Sequence, residues 1–116
     1  MTIIQIENEP GHYKLVAIGH AGRAEGEDGN LVCAAVSALT QALVQYCRDR
    51  SSRIAQYNDR IGDADIFIRA CTTRPDPEIS GAFALVETGL RMVRCILEAY
   101  GQAQMKFMYM MTMVIF

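Results

Sequence analysis

What this 116-residue chain lacks removes several classes of function. It has no block of basic residues: 11 Lys and Arg stand against 13 Asp and Glu, for a formal charge of −2. That argues against a surface that tracks nucleic-acid phosphates. No apolar run approaches the roughly 18 residues that cross a bilayer, so no membrane partner is expected. The first residues, Met1 to Glu7, read as a strand and not as the charged and apolar regions of a secretory leader. A cytoplasmic location is the resulting expectation, and there the four cysteines stay reduced. Those cysteines, Cys33, Cys47, Cys71 and Cys95, form no C-x-x-C pair and no Cys/His cluster of zinc spacing, so no metal is expected. The phosphate-binding pattern GxxxxGK[ST] is absent too. The one glycine-rich loop has no lysine and carries Glu25, Glu27 and Asp28, which repel phosphate.

What is present suffices for one folded domain. Hydrophobic residues make up 51 % of the chain and charged residues 21 %, enough apolar material for a core. Thr2 to Glu7 and Tyr13 to Ile18 alternate and read as strands. Asn8 to Gly11 is the turn between them, giving a hairpin. Gly19 to Gly29 holds four glycines and no apolar periodicity, the signature of a surface loop. Asn30 then suits the N-cap of a helix running to about Asp49, with Val32, Val36, Leu39, Leu43 and Tyr46 on its buried stripe. Ala34, Ala35, Ala38 and Ala42 form a narrow face suited to close packing on a sheet. Ser52 to Tyr57 and Asp65 to Cys71 read as two strands around a turn at Asn58 to Asp63, and Thr72 to Ser80 as a loop. A second helix is expected from Ile79 or Ser80. Phe83, Val86, Leu90, Val93, Leu97 and Tyr100 form its apolar face, and Gly101 its stop. Met105 to Phe116 is apolar on both alternating faces and reads as a strand buried on both sides or at a subunit contact. The order ββαββαβ predicts an α+β fold, a single domain with two helices packed on a largely antiparallel sheet.

The chemistry gathers around Cys33. The thiolate is the nucleophilic form, and a free thiol near neutrality is mostly protonated, so a reactive cysteine needs help. With Asn30 as cap, Cys33 falls in the first helical turn, where unpaired N–H groups and the helix dipole favour an anion. His20, at the end of the second strand, can take the thiol proton if the loop folds back. Gly22, Gly26 and Gly29 let the backbone approach a substrate closely. With the N–H groups at the helix start, the loop can form an oxyanion hole for acyl transfer. Ser37, one turn after Cys33, can hydrogen-bond either partner. Taken singly, each residue has an ordinary explanation. Cysteine in an alanine-rich helix packs, histidine at a strand end is surface, and serine in a helix fills a small space. Cys47, Cys71 and Cys95 read as small buried hydrophobes.

Gly19-His20-Ala21-Gly22 and Val32-Cys33-Ala34-Ala35-Val36-Ser37-Ala38-Leu39 together resemble the motifs of the ribosomal-processing cysteine protease family, Prp. The element order is similar across nearly the whole chain. The resemblance implies a cofactor-free, cytoplasmic and usually dimeric enzyme. Its substrate would be a ribosomal protein precursor, from which it removes a short hydrophobic N-terminal extension. The family's nucleophile matches Cys33, its histidine His20 and its serine Ser37. The chain departs from the pattern at Asn30, where members carry aspartate, and its loop is about one residue longer. Asparagine caps a helix as aspartate does but supplies no charge for an imidazolium. A paralogue without processing activity, acting as a binding module or dimeric scaffold, is the rival implied by that departure. A redox-sensing thiol is a third reading, with Cys47 or Cys71 as the partner.

Overall fold

Alternating apolar residues give the first strands one buried face. The computed structural model describes residues 3–19, 27–62, 65–99, 106–108 and 113–115, with side chains described for 3–19, 34–62 and 65–96. Strands β1 (Ile3–Glu9) and β2 (His12–Ile18) form an antiparallel hairpin with Glu9 opposite His12. Gly11 closes its turn at φ +81°, backbone that glycine adopts without penalty. Helix α1 (Glu27–Arg48) follows, then a 3₁₀ turn at Ser51–Arg53, β3 (Gln56–Ile61), β4 (Asp65–Cys71) and α2 (Pro77–Ala99). Two short strands, β5 (Lys106–Met108) and β6 (Met113–Ile115), come last. The sheet order is β3-β4-β2-β1-β6-β5, and every neighbouring pair is antiparallel.

The expected α+β architecture is present, with both helices on one face of the sheet. Ile4, Ile6, Tyr13, Leu15, Ile68 and Ala70 point from the central strands into a core completed by Val36, Leu43, Val44 and Cys47 of α1 and Ile79, Phe83 and Leu90 of α2. Each large aliphatic or aromatic side chain so buried contributes roughly 1.5–3 kcal/mol. The helices approach closely where Gly89 meets Leu39: a Cβ on Gly89 would lie 2.9 Å from Leu39 Cδ2. Tyr13 ties hairpin to helix. Its hydroxyl accepts from the Gly11 and Asp76 amides and donates to the Asp76 carbonyl.

Several local expectations are corrected. Asn30 does not cap α1, because the helix already begins at Glu27 and Asn30 lies within it, as does Gly29. Glu27 and Asp28 place acidic residues where the helix dipole favours them. Ala34, Ala38 and Ala42 are exposed, so the alanine face turns outward and Thr40, buried and bonded to the Val36 carbonyl, turns inward. The third strand is Gln56–Ile61, later than Ser52 to Tyr57, and the residues expected as a turn are mostly strand. Polar Asn58 and Asp59 suit this edge strand, and Asp59 is held by both Nε and Nη2 of Arg48. Helix α2 starts at Pro77, inside the expected loop. Asp76 caps it, its Oδ1 accepting from the Glu78 and Ile79 amides, and proline fits the first helical position. Cys95 is exposed, Cys71 half-buried and only Cys47 buried among the described cysteines. The terminal segment contains two short strands that pair antiparallel, not one. Its expected burial, the side chains of Val32 and Leu97, and Tyr100 and Gly101 lie outside what is described.

Candidate active site

The two halves of the sequence motif fall on different elements: Gly19 directly follows β2, and Val32 to Leu39 lies within α1. β2 ends at Ile18, and Gly19 follows at φ +96°, a left-handed backbone that residues with a Cβ adopt only under strain. The chain is thus turned at the residue before His20. His20, Gly22 and Gly26 lie outside the described residues, as do the side chains of Asn30 and Cys33; Gly29 is described as helical backbone. The His20–Cys33 pairing therefore falls outside the described geometry.

The backbone nevertheless places Cys33 well into α1. Counting Glu27 as the first residue, Cys33 is the seventh, about 9 Å along the axis at 1.5 Å per residue. The helix dipole acts mainly within the first turn, so it favours a Cys33 thiolate far less than a cap at Asn30 would. The unpaired N–H groups belong to the residues around Glu27 to Gly29, one to two turns before the cysteine. Ser37 stands one turn after Cys33. It is half-buried, and its carbonyl accepts a second, longer bond from the Thr40 hydroxyl at 3.3 Å. Val36 beside it is buried in the core, so the inner flank of α1 is fixed against the sheet one turn beyond Cys33.

The described residues hold a different thiol–imidazole contact. Cys71 Sγ lies 3.5 Å from His12 Nδ1. His12 opens β2 and Cys71 closes β4, directly opposite one another in the sheet. Sequence reading missed this pair because its members are 59 residues apart. Only the β2–β4 register joins them. Among the described residues no group of three or more His, Cys, Asp or Glu is arranged to hold a metal ion.

Comparison with known proteins bears on the first site. The family model for cysteine protease Prp matches residues 1–105. The chain belongs to the Prp cysteine protease family. A search of curated proteins finds no match. The fold is similar to the crystal structure of an essential ribosomal processing protease Prp from S. aureus in complex with a covalently linked product peptide. That likeness has a TM-score of 0.61 at 20 % identity and covers 88 % of this chain and 93 % of that one. The Prp match spans both Gly19 to Gly22 and the segment around Cys33.

Proposed function

We propose that this chain is a cysteine endopeptidase that removes a short hydrophobic N-terminal extension from a ribosomal protein precursor. The observation that carries the reading is the Prp family match across residues 1–105, which takes in both His20 and Cys33. Cys33 attacks the scissile carbonyl. His20 takes the thiol proton and returns it to the leaving amine, then activates the water that releases the acyl-enzyme. Ser37 orients one member of the pair. Because Cys33 lies beyond the first turn of α1, His20 supplies most of the activation. The carbonyl oxygen meets amides of the Gly22 to Gly29 segment, whose glycines permit close approach.

The enzyme works in the cytoplasm, as a homodimer and without a cofactor. No helix among the described residues is long and apolar enough to cross a membrane. Leu85, Met92 and Ile96, exposed along one flank of α2, offer an apolar surface for the dimer. The neutral Asn30 supports the rival reading, a binding or scaffold module of the same fold.

Incubation with a synthetic extension peptide, read by mass spectrometry, separates the two. Cleavage by the wild type and none by Cys33→Ala supports the peptidase. An intact peptide that binds measurably supports the module. Cleavage by Cys33→Ala at the wild-type rate would remove Cys33 from the chemistry.

A further inference from the structure

The open face of the sheet carries a second thiol beside an imidazole. Strand alternation puts His12 and Cys71 on the face turned away from the helices, since Tyr13 and Ala70 beside them are buried beneath α1 and α2. His12 Nε2 lies 3.3 Å from Glu7 Oε2, and Glu7 sits diagonally across the β1–β2 ladder. A carboxylate beside Nε2 favours the tautomer with its proton there. Nδ1 is then the unprotonated nitrogen, and it faces Cys71 Sγ at 3.5 Å. Thiol, imidazole and carboxylate thus stand in the order in which a nucleophile, its base and the group orienting that base are found.

This cluster is independent of the proposed peptidase centre. His12 opens β2 and Ile18 closes it, roughly 20 Å of strand at about 3.3 Å per residue, so the cluster lies at the end of β2 away from the motif that follows Ile18 in the chain. The cluster is also open to small molecules. His12 has 37 % of its side chain accessible, and Cys71 is half-buried at the strand end.

We propose that Cys71 is a second reactive thiol, with His12 as its proton acceptor and Glu7 as the residue positioning His12, and that its reagent is a small hydroperoxide. His12 Nδ1 takes the thiol proton. The thiolate attacks the nearer peroxide oxygen, forming an S–O bond as the O–O bond breaks. Sulfur gives up two electrons and becomes a sulfenic acid. The departing oxygen takes the proton from Nδ1 and leaves as water or an alcohol.

The other described cysteines are internal controls. Cys95 is more exposed than Cys71 but has no imidazole beside it in the described structure. Cys47 is buried, and loss of hydration pushes its thiol up to about 11, so it stays silent while the protein is folded. The experiment uses the Cys33→Ala chain, so its outcome does not depend on the peptidase reading. Limiting hydrogen peroxide is added with dimedone to trap sulfenic acid, and each cysteine peptide is quantified by mass spectrometry. The expected adduct at Cys71 exceeds that at Cys95 by about tenfold, against the order of exposure. His12→Asn should bring Cys71 down to the level of Cys95 while leaving Cys95 unchanged, and Glu7→Gln should lower Cys71 several-fold. More adduct at Cys95 than at Cys71 overturns the proposal, as does a Cys71 yield untouched by His12→Asn. Should His12→Asn unfold the chain, adduct at Cys47 will reveal it. Glu7→Gln then decides, and an unchanged Cys71 yield in that variant overturns the assignment.

Discussion

The two faces of the sheet share the same strands yet have opposite characters. On the helix side Ile4, Ile6, Leu15, Ile68 and Ala70 are essentially inaccessible to solvent. On the other side the intervening residues include Glu7, His12, Lys14, Val16, Phe67 and Arg69, all half-buried or exposed. Lys14 lies over the Phe67 ring at 6.0 Å, covering apolar surface with a charged side chain's stem. One residue's shift in register would exchange the two sets, so the buried set fixes the fold. The open set is released from that task and is free to carry chemistry.

The largest test of this contrast is a pair of truncations on neighbouring strands. Ile68→Ala, on the closed face, should cost about 2–5 kcal/mol in denaturant unfolding, whereas Val16→Ala, half-exposed on the open face, should cost about 1 kcal/mol or less. Equal losses would mean that the open face is covered by something that excludes water as well as the helices do. Next comes Asp76→Ala. It removes the cap of α2 and the two carboxylate contacts with Arg53, and should cost about 1–2 kcal/mol. Asp76→Asn should recover much of that loss, because the amide oxygen can still accept from the helix amides.

Arg48→Ala tests the rim of the closed face and should have the smallest effect. Half of the Arg48 side chain is exposed, so solvent screens its paired bonds to Asp59 and their loss should lower stability only slightly near neutral pH. The Arg48 hydrogen bonds hold the Asp59 carboxyl below its ordinary value. A lowered carboxylate stabilises above its unfolded value and loses that contribution as pH falls through its folded value. The difference between wild type and Arg48→Ala should therefore be present at neutral pH and fade in acid. A difference that grew in acid would show that the pair does not act through the Asp59 charge.

Much of this structure was legible because it rests on local patterns. Alternation in Tyr13 to Ile18 specified both the strand and its buried face, and the spacing of Val36, Leu39 and Leu43 specified α1. The errors arose where a local rule met a competing one. Pro75 and Pro77 suggested a loop, although Asp76-Pro77-Glu78 is equally a cap, a first-turn proline and a first-turn acid. Asn58 and Asp59 suggested a turn, but on an edge strand such residues find partners at the sheet's margin. Asn30 suits a cap and Glu27 and Asp28 suit a loop, but the two acids equally suit a first helical turn, and with α1 starting at Glu27 the cysteine at position 33 lies deeper along the helix. The motif of the candidate peptidase site could be read because His20 and Cys33 lie near each other in the chain. The His12–Cys71 pair could not be read, since it exists only once β2 lies beside β4.

Gly19 turns the chain at a φ of +96° one residue before His20. That value belongs to the mirror-image half of conformational space, so position 19 is a matter of handedness more than of size. An L-alanine there has the wrong chirality for the bend. A D-alanine introduced by chemical ligation carries the same extra methyl with the right one. The path by which the strand delivers its histidine should survive the second replacement and not the first.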